Sequence, residues 1–205
     1  MAPKVADEYR KEKKRTLLKA AKKVFIKNGY IHTTMQDIMD EANVSRGTLY
    51  NYFDNIDHIF MEVLKVDDQD TIDLFLDEGP LWPAFKRWIT ELQTQIEEVD
   101  QSLLLARAEF FISSKFVKNK GDFPYISDRY ERTASVIEKV IHKGAERGEF
   151  EPRLSPALVS RYLISCINGL MLDTFQLGNE KTKVKEQLSV LLFSLEQMIN
   201  PLKKE

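Results

Sequence analysis

Cysteine is almost absent: the 205 residues hold one, Cys166. That excludes an intramolecular disulfide and any multi-cysteine metal site, and its neighbours Leu163, Ile164 and Ile167 predict a buried, inert thiol in a reducing compartment. Glycine and proline are sparse and scattered, eight and seven in all, which excludes collagen-like, mucin-like and linker-rich architectures. Charged residues interrupt every apolar run before the ~18 to 20 residues of a membrane span, and residues 1–6 are too short and polar for a signal peptide. A cytoplasmic protein is expected. The three histidines, His32, His58 and His142, lie far apart without metal-ligand spacing, and no Walker-type loop, G-x-S-x-G or H-E-x-x-H occurs. Carboxylates are plentiful, but on helical surfaces they are ordinarily solvated. Neither an enzyme nor a cofactor is expected.

The formal net charge of −2 conceals an asymmetry. Residues 1–30 contain ten Lys and Arg against three Asp and Glu, whereas residues 31–53 contain one against three. The first 53 residues are therefore +5 and the remainder −7, much of it in an acidic run over residues 54–78. A basic head on an acidic body fits a polyanionic partner for the head alone. A lysine-rich solvated helix face is the plainer explanation unless a second feature supports the first.

Helical periodicity runs throughout, and no period-2 segment with flanking turn residues is found, so the fold class is all-α with about nine helices. A first helix is predicted over residues 9–28, with Leu17, Ala21, Val24 and Phe25 inward and Gly29 as its stop. Thr33 or Thr34 caps a second helix carrying Asp37 in its first turn and Ile38 and Ala42 inward. Ser45 caps a short third, with Leu49 and Phe53 inward. A fourth helix runs through Ile59, Phe60, Val63 and Leu64 towards Leu76, ending at Gly79-Pro80. Further helices are predicted over 82–99, 102–118, 126–146, 155–177 and 183–200, the last stopped by Pro201. The domains read as a disordered basic arm over 1–8, a helix-turn-helix domain over 9–54, and a helical body over 55–205.

The stretch TTMQDIMDEANVSRGTLYNYF, residues 33–53, has the second feature. Ile38, Ala42, Val44, Leu49 and Phe53 suffice to dock two short helices on the first, leaving Arg46, Thr48, Tyr50, Asn51 and Tyr52 outward. In a helix-turn-helix the second helix must stand proud of the body to enter a major groove. Arg can bond guanine O6 and N7 together, Asn can do the same to adenine, and hydroxyls reach phosphates. The helix starts at Thr34 and Ser45 present backbone N–H groups to phosphates, and Gly47 leaves room for close approach.

From LLKAAKKVFIKNGY through TTMQDIMDEANVSRGTLYNYFDNIDHIF the chain resembles the DNA-binding domain of TetR-family transcriptional regulators, with GTLYNYF the most specific part. A weaker likeness, GAERGEFEP followed by ISCINGLML, resembles the approach to that family's dimerisation helices. The resemblance implies a homodimer that binds a palindromic DNA operator and is released by a small inducer, with repression the family's default. It implies DNA contact by Ser45, Arg46, Gly47, Thr48, Tyr50, Asn51 and Tyr52, with Thr34 and Gln36 on the preceding helix. Three departures stand out: Asn43 where the family usually has Gly, Met39 where a small Ala is usual, and Ile56 where a phosphate-contacting Lys is common. Backbone contact then falls to Lys4, Arg10, Lys11, Lys13, Lys14 or Arg15.

The resemblance further implies that the last two long helices form an intermolecular four-helix bundle, for which Leu158, Tyr162, Gly169, Leu188, Leu191, Leu192, Leu195 and Met198 are candidates. It implies an inducer pocket for which Trp88, Leu92, Leu104, Arg107, Phe110, Phe111, Tyr130, Asn168 and Met171 are candidates, suited to a hydrophobic or aromatic compound. A helical protein-interaction module and a non-specific architectural DNA binder stay open beside this reading. Operator, regulated genes and inducer are not legible, nor is the sign of regulation.

Overall fold

The computed structural model describes residues 2–67 and 79–202. In chain order the helices are α1 (Ala2–Asn28), α2 (Met35–Ala42), α3 (Arg46–Tyr50), α4 (Ile56–Asp67), α5 (Leu81–Glu97), α6 (Leu104–Ile112), α7 (Ser114–Lys118), α8 (Pro124–Glu146), α9 (Pro156–Leu177), α10 (Asn179–Thr182) and α11 (Val184–Ile199). Among the described residues the only β-type pairing is an isolated bridge between Phe150 and Pro201. The fold is all-α, as the periodicity predicts. The elements beyond the nine expected are the short α7 and α10.

Local chemistry accounts for most boundaries. Gly29, at φ +74°, ends α1 with its N–H on the Phe25 carbonyl at 3.0 Å. Asn43 takes φ 49° and ψ 56°, the left-handed conformation that Asn tolerates better than most residues, so the family's usual glycine is not needed at this turn. Two expectations are corrected. Residues 2–8 continue α1 instead of forming a disordered basic arm, and with Lys4 against Asp7 and Glu8 they are not basic either. The helix expected over 102–118 divides at Ser113, whose extended ψ of 141° interrupts α6 while its hydroxyl accepts the Phe116 N–H at 3.2 Å and starts α7. The predicted course of the fourth helix towards Leu76 lies outside the described residues.

The chain divides into two compact units. The first joins α1 to α4 with residues 101–122, so α4, α6 and α7 belong to the unit of the helix-turn-helix, whereas a boundary at residue 54 would assign them to the body. Its centre is a run of rings: Phe25 lies 4.8 Å from Phe60, and Phe110 of α6 lies 5.0 Å from Tyr30, 5.3 Å from Phe60 and 5.2 Å from Phe116. Leu17, Ala21, Val24, Ile38, Leu49 and Phe53 are buried around it, as their spacing predicts, while Ala42 and Val44 are half-buried.

The second unit packs α5, α8, α9, α10 and α11 around Phe85, Trp88, Ile89, Leu92, Ile96, Leu163 and Leu195, among others. Ser155 stands at the N-cap of α9 as expected, but its hydroxyl makes no capping bond; Pro156 in the first turn has no N–H to satisfy. The connection from α8 to α9 is strapped to the chain end: Glu151 N–H donates to the Asn200 carbonyl at 3.1 Å, Arg153 N–H to Met198 at 2.9 Å, and Leu202 N–H to Glu149 at 2.8 Å. Gly144 lets Phe150 fold against α8, since a Cβ there would lie 2.1 Å from the ring. Gly144→Ala is therefore expected to cost about 1–3 kcal/mol by overpacking, read as a lowered urea midpoint with unchanged slope. A neutral result would mean that Phe150 swings away freely.

Candidate nucleic-acid interface

Thr34 opens α2 through a reciprocal cap. Its hydroxyl accepts the Asp37 N–H at 3.2 Å, and the Asp37 carboxylate accepts from the Thr34 N–H at 2.8 Å and the Thr34 hydroxyl at 2.7 Å. These hydrogen bonds from Thr34 hold the Asp37 carboxyl below its usual value near 3.8. A depressed folded-state pKa adds stability that is present above the unfolded value and lost as pH falls through the folded one. Amide exchange at Asp37 and Ile38 should thus be flat from neutral pH to about 5 and lose protection below about 4. Thr34→Ala should remove the acid step and cost ~1 kcal/mol; persistence of the step in that variant would contradict the assignment.

In α3, Ser45 is the N-cap, its hydroxyl accepting the Thr48 N–H at 3.3 Å, and Leu49 is the buried residue. Ser45, Arg46, Gly47, Tyr50 and Asn51 are exposed, and Thr48 and Tyr52 are half-buried. Open space lies beyond Gly47 where a side chain would begin. The Arg46 guanidinium rests 5.2 Å from the Tyr50 ring centre, which orders a long side chain without occupying its donor edge. Gln36 is exposed on α2 and bonds Asp40 at 2.7 Å. Thr34 and Ser45 at the N-caps, Gln36 on α2, Arg46, Gly47, Thr48 and Tyr50 on α3, and Asn51 and Tyr52 directly after it are thus partly or fully exposed, with Leu49 and Phe53 inward.

The frame behind these helices is tied by charge. Glu109 of α6 accepts the Tyr30 and Ile31 N–H groups at 2.6 and 2.9 Å, just past the end of α1. Buried Asp57 at the start of α4 accepts from the Tyr30 hydroxyl and the Lys115 ammonium, and Asp67 at the end of α4 pairs with Lys22 at 2.5 Å and Arg107 at 2.8 Å. Lys14 reaches Glu62 at 2.6 Å. Burial alone would raise the Glu62 carboxyl, but Lys14 and Lys65 outweigh it and hold it below its usual value. Sequence reading missed Glu109, Asp57 and Lys115, because their partners are 27 to 79 residues away and no local spacing marks them.

Residues 17–63 match the family profile described as bacterial regulatory proteins, tetR family, and residues 84–185 match the tetracyclin repressor-like C-terminal domain. The chain belongs to the TetR family of DNA-binding transcriptional regulators. It is 25% identical over 187 residues to the uncharacterized HTH-type transcriptional regulator YfiR of Bacillus subtilis, covering 90% of each chain. It is 27% identical over 160 residues to the HTH-type transcriptional repressor DhaR of a Mycobacterium species, covering 76% of this chain and 79% of that one. Reduced NemR of E. coli has the same fold, with a TM-score of 0.73 at 14% identity over 94% of this chain and 100% of that one. Regulators of this family bind DNA, dimerise and take small-molecule ligands.

The body residues singled out from the TetR resemblance do not all fall where expected. Of the inducer candidates, Trp88 and Leu92 are buried in the second unit with Tyr130 and Met171 packed against the same core, while Asn168 is exposed on α9. Leu104, Arg107, Phe110 and Phe111 belong to the first unit, where Phe110 is fully buried and Arg107 pairs with Asp67. Of the dimer candidates, Leu158 and Tyr162 are 66% and 45% exposed and Gly169 is exposed too. Leu188, Leu191 and Leu195 are instead buried within their own subunit, and Leu192 and Met198 are half-buried against the same core. The outward apolar residues of α11 are Val190 and Phe193, 65% and 62% exposed, which the sequence reading did not select. Cys166 is half-buried rather than buried, and it holds the neighbouring Tyr162 phenol above its usual value while Ser194 pulls the other way. No described helix is long and apolar enough to cross a membrane.

Proposed function

We propose that this protein is a cytoplasmic, homodimeric repressor that reads a palindromic operator with α3 and leaves it on binding a small hydrophobic or aromatic inducer. The observation that carries the reading is α3 itself: one buried residue, Leu49, anchors a turn of helix whose other side chains offer guanidinium, amide and hydroxyl groups outward. Arg46 and Asn51 are the base-reading residues, suited to guanine and adenine. Thr34, Gln36, Ser45, Thr48, Tyr50 and Tyr52 address phosphates, and Gly47 permits close approach.

Dimerisation uses the exposed apolar face of α9 and α11, Leu158, Tyr162, Gly169, Val190 and Phe193, which leaves little reason for so many large apolar side chains to face water in a monomer. Two-fold symmetry then matches half-sites about one helical turn, ~34 Å, or a multiple of it, apart. For the inducer, Trp88, Leu92, Tyr130 and Met171 supply apolar and aromatic surface. Within the first unit Glu109, Arg107 and Lys115 bond α6 and α7 to the end of α1 and to α4, so a displacement of α6 or α7 is passed to the reading helices. A ligand acts by shifting the population between a DNA-competent and a released state, limited by its differential affinity for the two. Repression accords with the name of the related DhaR.

The test is retention of sheared genomic DNA from the source organism on the purified protein at near-physiological salt. A few intergenic fragments should be enriched, and Arg46→Ala with Asn51→Ala should abolish that enrichment, since each bidentate contact contributes about 1–3 kcal/mol of discrimination. Enrichment that survives both substitutions would place base reading elsewhere.

A further inference from the structure

The DNA-reading segment cannot hold DNA by charge on its own. Residues 31–53 have Arg46 as their one cation against Asp37, Asp40 and Glu41, and α4 adds Asp57 in its first turn. Attraction to the backbone must come from α1, yet several of its cations are already engaged: Lys14 by Glu62, Lys22 by Asp67 and Lys23 by Glu41. Against this background one cleft stands out, about 290 Å³ in volume and lined by Asp7, Arg10, Lys11, Lys14, Asn51 and Tyr52. The four α1 residues recur at helical spacing and so share one side of the helix, while Asn51 and Tyr52 directly follow α3. The Arg10 guanidinium lies 5.9 Å from the Tyr52 ring centre, and Lys14 lies 5.9 Å from the Phe53 ring while bonded to Glu62.

We propose that Arg10 and Lys11, with Tyr52, seat a duplex DNA backbone phosphate in this cleft, outside the bases that α3 reads, with Asn51 at the edge of the cleft left to the bases. The proposal rests on α3 being the DNA-reading helix and adds to it the anchor that the acidic reading segment lacks. Arg10 supplies a planar donor fork held over Tyr52, and Lys11 supplies a flexible point charge suited to a phosphodiester. Lys14 is held back by Glu62 and contributes little. Asp7 opposes the anion. Lys13 and Arg15 do not line the cleft, so the five cations of residues 10–15, which look equivalent in sequence, separate into a pair that anchors and three that do not.

The experiment is a salt titration of binding to a random-sequence duplex. Arg10→Ala/Lys11→Ala should flatten the slope of log K against log salt by about 0.9 for each phosphate no longer neutralised, and should weaken all sequences alike. Lys13→Ala/Arg15→Ala removes the same charge and should change the slope much less. Asp7→Asn should tighten binding roughly threefold, a gain that a misfolded variant could not give. Equal flattening by the two double variants would overturn the cleft in favour of diffuse attraction. Stabilisation by millimolar inorganic phosphate alone, abolished in Arg10→Ala/Lys11→Ala without any change of slope on DNA, would make it a small-anion site and equally overturn the proposal. Failure of the unaltered protein to bind any duplex would remove the DNA-reading assignment itself, and the anchor with it.

Discussion

Phe110→Ala is expected to destabilise the first unit by about 3–5 kcal/mol, one of the two largest effects foreseen for this molecule. Phe110 is fully buried, and its ring is central to the cluster that joins Phe25, Tyr30 and Phe60 of the head to Phe116 of α7. Truncation strips the ring's neighbours of their packing on several sides and leaves a cavity that cannot collapse without moving α6. Since α6 also holds Glu109 on the Tyr30 and Ile31 N–H groups, its displacement frees the end of α1 as well. Thermal unfolding by calorimetry should show an early transition for the unit containing the reading helices. A loss below ~1 kcal/mol would mean that α6 does not complete the core of the head in solution.

A comparably large effect is expected in the second unit. Val190 and Phe193 are mostly exposed on α11, as Leu158 and Tyr162 are partly or mostly exposed on α9. Phe193→Asp should leave each subunit folded, because the side chain lies outside the subunit's own core, and should dissociate the dimer. A large aromatic anchor at an interface is typically worth ~2–4 kcal/mol, and a carboxylate buried in its place adds a desolvation penalty. With two copies per dimer the dissociation constant should rise by at least about a thousandfold. Leu188→Asp provides the contrast: Leu188 is 2% exposed within its own subunit, so this variant should unfold and not merely dissociate. Sedimentation with circular dichroism separates the two outcomes. A Phe193→Asp protein still dimeric at micromolar concentration would place the interface elsewhere.

These two regions also show what sequence can and cannot carry. Local signals are readable wherever the cause is local. The α1 stripe, the Thr34 and Ser45 caps, the left-handed Asn43 and the inward Leu49 and Phe53 all follow from spacing and from what each residue type does to its own backbone. The proposed dimer face is not readable in this way, because α11 carries two apolar stripes. Leu188, Leu191, Leu195 and Ile199 repeat at three and four residues and turn inward, whereas Val190 and Phe193 turn outward. Periodicity marks a stripe without saying whether it meets its own subunit or a partner. The shorter outward pair can be found only by asking which apolar residues the main stripe leaves over.

Interactions distant in sequence are less legible still. Nothing near Glu109 announces that it will accept the backbone N–H groups of Tyr30 and Ile31, and nothing near Arg107 distinguishes a ligand-orienting cation from the partner of Asp67. The break at Ser113 has a readable cause, since Ser113-Ser114 offers an N-cap, but an apolar run on both sides favours one continuous helix. The consequence for function is that α6 and α7, assigned by sequence to the body, are part of the unit that carries the reading helices.

Everything proposed for this protein rests on sequence-specific DNA reading by a two-fold symmetric pair of α3 helices. It is tested most directly by selecting from a pool of random duplexes at near-physiological salt and sequencing what the protein retains. A palindromic consensus is expected, with half-sites about one helical turn, ~34 Å, or a multiple of it, apart. Binding without enrichment of any sequence, disappearing simply as salt is raised, would contradict it and leave only electrostatic attraction to the basic face of α1.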